Sequence, residues 1–151
     1  MASNEYQRML FDKIPITQSL GLEIDSITDH QVQLKAPLQK NINYEGTAFG
    51  GSLNTVAVLT CYLTLHHFLK TQQLHFSSLV IQSSQIDYLL PTAQDFLSTC
   101  QLPKEKIEKF TKLLEGKGLA RMSLEAKIRY PDCTKTRVHF QGQFVVSQSQ
   151  K

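Results

Sequence analysis

Apolar and polar positions along the first part of the chain follow two different periods. Tyr6, Met9 and Leu10 fall on one side of a segment from Asn4 to Lys13, the spacing of a short amphipathic helix, and Ile14-Pro15 ends it. After the Leu20-Gly21-Leu22 turn the period becomes two. Leu22, Ile24 and Ser26 oppose Glu23 and Asp25; a hairpin connection follows at Thr28-Asp29-His30-Gln31; then Val32, Leu34 and Ala36 alternate with Gln31, Gln33 and Lys35 up to Pro37. Between Glu45 and Lys70 both patterns disappear: there is no Asp, Glu, Lys or Arg, and Leu53, Val56, Ala57, Val58, Leu59, Cys61, Tyr62, Leu63, Leu65, Phe68 and Leu69 occupy every side. A helix apolar all round is enclosed by protein or by lipid. A membrane span needs about 20 mostly apolar residues, and Asn54, Thr55, Thr60, Thr64, His66 and His67 interrupt this run. The segment predicts one helix wrapped by protein, N-capped by Ser52, with the Gly50-Gly51 loop at its mouth.

Beyond a linker at Thr71–Ser78, the stretch Ser78–Leu90 reads as a long strand ended by Pro91, and Phe96–Leu102 as another. Pro103 then opens a surface helix with Ile107, Phe110, Leu113 and Leu114 as its apolar stripe and Gly116 as its stop. Leu119–Tyr130 alternates cleanly, Met122, Leu124, Ala126 and Ile128 against Arg121, Ser123, Glu125 and Lys127; after the turn at Pro131-Asp132, Thr136–Val146 is the last strand. The order is two strands, an enclosed helix, then three or four long strands. It predicts an α+β class in which one antiparallel sheet curls round one long central helix, within a single domain over residues 1–151. One such sheet leaves a helix flank and a sheet edge open, and dimerisation is the simplest way to cover both.

Composition narrows the class. The chain has 151 residues, 41% hydrophobic and 19% charged, which suits a globular core. A net charge of +3 is too small to argue for nucleic acid. Three widely spaced cysteines, Cys61, Cys100 and Cys133, fit neither a disulfide framework nor a zinc knuckle, and the first residues have no signal-peptide core. The expectation is a cytoplasmic protein with no metal, no membrane partner and no nucleic-acid partner.

The enclosed helix with Gly-Gly at its mouth resembles the hot-dog fold of acyl-thioester enzymes. The loop Asn41-Ile42-Asn43-Tyr44-Glu45-Gly46-Thr47-Ala48-Phe49-Gly50-Gly51-Ser52, and Ile86-Asp87-Tyr88-Leu89-Leu90-Pro91 at a strand end, resemble more particularly the YiiD C-terminal-domain family over nearly the whole chain. The resemblance implies a homodimer, with further assembly left open, acting on acyl groups carried by the phosphopantetheine of acyl carrier protein or coenzyme A and needing no other cofactor. It implies either thioester hydrolysis or decarboxylation of malonyl-acyl carrier protein to acetyl-acyl carrier protein in fatty-acid metabolism, with Asn43 as key residue of the latter.

The residues bear on that choice. Gly50, Gly51 and Ser52 place backbone N–H groups at a helix N-terminus, where they can hold a thioester oxyanion; the plainer alternative is close packing of a loop. Asn43 can donate to a carbonyl or a carboxylate, or simply shape its loop. Many hot-dog thioesterases carry an Asp or Glu on the central helix, and the matching turn here, Thr55-Val56-Ala57-Val58-Leu59, has none. Hydrolysis needs a nucleophile and usually a base, whereas decarboxylation needs only a held carbonyl, an oxyanion site and an apolar pocket. Decarboxylation is therefore the first expectation, and hydrolysis using Glu45, or Asp87 of a second subunit, is the alternative; a non-catalytic acyl-binding module is a third. Phe49, Ser52, Thr60 and Ser83 are candidates to line the acyl pocket, although buried hydroxyls such as Thr60 are more often satisfied by backbone. Lys117 and Arg121 are candidates to hold the phosphates of the carrier, beside Lys104, Lys106, Lys109 and Lys112, a solvated helix face being the bland alternative. His66 and His67 are read as structural, and His30, His75 and His139 show no metal spacing.

Overall fold

A computed structural model describes residues 2–148. Its elements are α1 (Ala2–Lys13), α2 (Ile16–Ser19), β1 (Glu23–Ile27), β2 (Gln31–Ala36), α3 (Gly50–Thr71), β3 (Ser78–Tyr88), β4 (Phe96–Gln101), α4 (Lys104–Lys117), β5 (Leu119–Arg129) and β6 (Val138–Ser147). The strands form one antiparallel sheet in the order β1-β2-β4-β5-β6-β3. This is the hot-dog architecture expected from the sequence: α3, 22 residues and so about 33 Å long, lies across one face of the sheet.

Period-two alternation decides which strand faces the helix. On β5, Ala120, Met122, Leu124, Ala126 and Ile128 are buried, while Arg121, Ser123, Glu125 and Lys127 point to the outer face. β6 matches it through Val138, Phe140, Gly142, Phe144 and Val146. Gly142 is required by packing, because a Cβ there would stand 2.8 Å from the ring of Phe140 and 3.1 Å from that of Phe144. The core then closes on Leu53, Val56, Ala57, Leu63, Leu65 and Leu69 of α3.

Several local expectations are corrected. Ser52 is not the N-cap of α3: the helix begins at Gly50, with Phe49 extended at the cap position and Leu53 N–H donating to Phe49 O at 3.0 Å. The loop forces the earlier start, since Phe49 N–H bonds Asn41 O and Ala48 N–H bonds Thr92 O, each at 2.7 Å. Gly116 does not stop α4. The helix runs to Lys117 and ends where Gly118 takes the left-handed conformation (φ 70°) that glycine adopts without strain. A short helix, α2, occupies Ile16–Ser19, where no element was expected.

The two sheet edges are treated differently. Beside β1, the side chain of Gln7 acts as a surrogate strand: Nε2 donates to Leu22 O (2.8 Å) and Oε1 accepts from Ile24 N–H (3.0 Å). Beside β3, an 11-residue strand about 35 Å long, only β6 pairs among the described residues.

Candidate active site at the mouth of the central helix

The mouth is built from three segments: the 41–49 loop, the first turn of α3 and the end of β3. Gly50, Gly51 and Ser52 precede the first intrahelical donor, Leu53, and no side chain caps them. Their N–H groups carry the partial positive charge of the helix end. Two exposed aromatic side chains, Phe49 and Tyr88, lie against this turn, and Ile42, Tyr44 and Leu89 of the same segments are exposed as well. The ring of Phe49 folds back over Gly51, so close that a Cβ at position 51 would meet it at 2.4 Å. Phe49 is 57% exposed, so its ring can swing clear of a side chain at 51.

Asn43 stands beside this turn, half-buried, with its amide engaged in its own loop. Oδ1 accepts from the N–H groups of Glu45 (2.9 Å) and Thr47 (3.1 Å), and Nδ2 donates to Thr47 Oγ1 at 2.9 Å. The structure thus gives Asn43 the loop-shaping role that was its plainer alternative. Glu45 is exposed on the same loop, one bond away from Asn43.

The remaining candidates are dispersed. Thr60 is fully buried, donating to Val56 O at 2.6 Å and packed against Ser98 Oγ at 2.7 Å, a satisfied core hydroxyl rather than a pocket wall. Ser83 pairs with Gln143 beside a bulge and faces away from α3, on a polar cleft of about 640 Å³ shared with Gln85, Glu125 and Gln141. Asp87 is opposite His139 on that outer face as well. Lys117 ends α4 and Arg121 lies near the start of β5, at the far end of β3 from Tyr88; Arg121 Nε donates to Gln82 Oε1 at 3.2 Å. Within one chain they do not meet the mouth.

The open flank of α3 is the stripe Gly51, Thr55, Val58 and Tyr62, with Asn54 beside it, and it carries no carboxylate. Further along, His66 and His67 enter an aromatic cluster. His66 stacks on Tyr62 and meets Tyr6 and Phe76 edge-on, and burial, with Lys70 and His67 adding to it, pushes its imidazole down to about 4. His67 Nδ1 shares a 3.0 Å hydrogen bond with Tyr6 Oη. No group of three or more metal-ligating side chains occurs among the described residues. None of their helices is long and apolar enough to cross a membrane.

The sequence of residues 3–148 matches the family described as "Putative thioesterase (yiiD_Cterm)". The chain belongs to this family. Among solved structures it is similar to a protein of unknown function from Chlorobaculum tepidum TLS, at 33% identity and TM-score 0.91, covering 98% of this chain and 95% of that one. It is also similar to a thioesterase-like protein of Shewanella oneidensis at 24% identity and TM-score 0.84, covering 97% of each chain. The Escherichia coli PaaI protein of a phenylacetic acid degradation operon shares the fold, with TM-score 0.68 at 16% identity over 98% of this chain and 94% of that one. No curated protein matches. The family points to an enzyme acting on thioesters, and it favours hydrolysis over the decarboxylation expected first.

Two residues of the mouth escaped sequence reasoning. Tyr88 was visible as part of a strand-end motif, but its contact with α3 is 38 positions away in the chain. Thr55 looked like an interruption of an apolar run, yet its hydroxyl donates to Gly51 O at 2.8 Å.

Proposed function

We propose that the protein is a thioesterase that hydrolyses acyl groups carried on the phosphopantetheine arm of coenzyme A or acyl carrier protein, and that it works as a homodimer. The observation behind this reading is the row of uncapped amides at Gly50, Gly51 and Ser52, with the exposed side chains of Phe49 and Tyr88 against their turn. The thioester oxygen sits against these donors, which stabilise it as negative charge develops. Glu45 takes a proton from the attacking water and returns it to the sulfur as the tetrahedral intermediate collapses, so that the carrier departs as free thiol and the acyl group as the carboxylic acid.

The unprotected β3 edge supports the dimer. A second copy pairing antiparallel along β3 continues the sheet and covers the open stripe of α3. It also brings the start of its own β3, with the Lys117–Arg121 end of that copy, towards this mouth. Lys117 and Arg121 of that copy are the cations we assign to the carrier phosphates. Arg121→Ala should then raise KM for an acyl-coenzyme A severalfold and leave KM for the matching acyl-pantetheine, which lacks the nucleotide phosphates, unchanged. An equal change for both substrates would argue against the phosphate role.

The central test is release of free thiol from acyl-coenzyme A substrates of graded chain length, repeated with Glu45→Gln, which should lose most of the rate. A second reading, decarboxylation of malonyl-acyl carrier protein, is favoured by one observation: neither the α3 stripe nor the inner face of β3 offers a carboxylate. Mass analysis separates the two. Acetyl-acyl carrier protein as product, with Glu45→Gln fully active, would replace hydrolysis by decarboxylation.

A further inference from the structure

Two hydroxyls close on consecutive carbonyls in the first turn of α3. Tyr88 Oη donates to Gly50 O at 3.0 Å, and Thr55 Oγ1 to Gly51 O at 2.8 Å. The Thr55 bond is a local one, four residues back along the helix, of a kind common for Thr in helices. The Tyr88 bond is different. It links the last residue of β3 to the first of α3, 38 positions apart, and exists only because the sheet has folded. Tyr88 adds little to the core, since it remains 51% exposed. Its ring lies along Gly50, 3.4 Å from where a Cβ would stand.

The carbonyl of Gly50 and the N–H of Gly51 belong to the same planar peptide unit and point in opposite directions. Holding the oxygen therefore aims the N–H. This unit is flanked by glycine on both sides, so it lacks the Cβ restraints that fix other peptides of a helix. A donor on the oxygen also polarises the unit and makes its N–H a stronger donor in turn.

We infer that Tyr88 is a positioning residue for the thioester reaction: its hydroxyl, through Gly50 O, sets the direction and donor strength of the Gly51 N–H that receives the substrate oxygen. This rests on the reading of the Gly50–Gly51 mouth as the carbonyl site. Tyr88 touches no reacting atom. It acts through the peptide plane, and Thr55 does the same for the Ser52 N–H.

The test uses Tyr88→Phe, which removes one oxygen and keeps the ring. Three quantities are read. The first is the amide proton shift of Gly51 in the free protein, expected to move upfield in the variant. The second is the carbonyl carbon shift of a bound acyl-coenzyme A ketone analogue, in which a methylene replaces the sulfur; it should lie downfield in the wild-type protein and relax in the variant. The third is turnover, with kcat expected to fall about tenfold while KM and the melting temperature hold. Incorporating 3-fluorotyrosine at position 88, a more acidic phenol, should restore or raise kcat above that of the phenylalanine variant. An unmoved Gly51 amide proton, or a carbonyl equally polarised in both proteins, overturns the role of Tyr88 alone. A carbonyl left unpolarised in the wild-type protein overturns the mouth as carbonyl site, and the inference with it. A fall in melting temperature with kcat unchanged reduces Tyr88 to a tether between β3 and α3.

Discussion

Asn43 commits its amide to its own loop, and its replacement is therefore a stability experiment as much as a functional one. Asn43→Ala leaves the N–H groups of Glu45 and Thr47 to water and should cost about 0.5–1.5 kcal/mol in denaturant unfolding. Asn43→Asp keeps both acceptor contacts and loses the donor to Thr47 Oγ1 and the long one to Ala48 O, so it should cost less. Equal losses would show that the side chain does not hold the turn. His66 supplies a pH dependence with a definite sign. Its folded-state value is about 4 against an ordinary 6.5, because burial disfavours the imidazolium and Lys70 and His67 add to that. The unfolded chain binds the extra proton in between, so the stability contributed by neutral His66 is complete above pH 6.5 and is lost as pH falls towards 4. The full effect is on the order of 3 kcal/mol. Melting temperatures of the wild-type protein should fall through that window and those of His66→Phe should fall less; parallel curves would rule His66 out. His67 is shifted down by burial too, with Asp29 opposing, and contributes in the same direction.

At the level of the elements, glycine positions separate by what surrounds them. In β6, Gly142 lies under the buried rings of Phe140 and Phe144, which cannot swing into solvent. Gly142→Ala should therefore destabilise by about 1–3 kcal/mol. Near the end of α4, Gly116 has open space where a Cβ would stand and is not in the left-handed region. Gly116→Ala should stabilise by about 0.5–1 kcal/mol through helix propensity and a less disordered unfolded chain. Paired urea titrations read both, and opposite signs are the expected outcome. The elements themselves were plain in the sequence where the period was clean, as in β5, or where an uncharged apolar run was long, as in α3. Their ends were not. Ser52 has the better capping side chain, yet the bonds from Phe49 to Asn41 and from Ala48 to Thr92 start α3 three residues earlier. Gly116 has the right residue type for a stop, yet Gly118 meets the strand that follows.

Across the whole molecule, the sheet has one guarded edge and one open edge. Gln7 closes β1, while β3 presents a long strand whose single charge, Asp87, lies near its end, with Val80 and Ile81 exposed. Such an edge invites pairing with another chain. A charge introduced on the helix-facing side, Ile81→Lys, should shift sedimentation from dimer to monomer while circular dichroism keeps its folded shape. A wild-type chain that sediments as a monomer at every concentration would sink the proposed dimer.

What the sequence alone determined was the enclosure of α3. A run without charge over some two dozen residues can be stable only when wrapped, and the flanking period-two strands named the wrapper. The Gly-Gly segment was legible as the approach to α3, but that Gly50 and Gly51 lie inside its first turn was decided by the loop bonds of Ala48 and Phe49. Which side chains attend that mouth was decided by tertiary structure. Strand register sends Ser83 and Asp87 to the outer face, core packing satisfies Thr60, and the end of β3 brings Tyr88 onto Gly50. A one-residue bulge or a contact across 38 positions leaves no periodic trace in the chain, because it depends on how whole elements dock and not on the local order of residues.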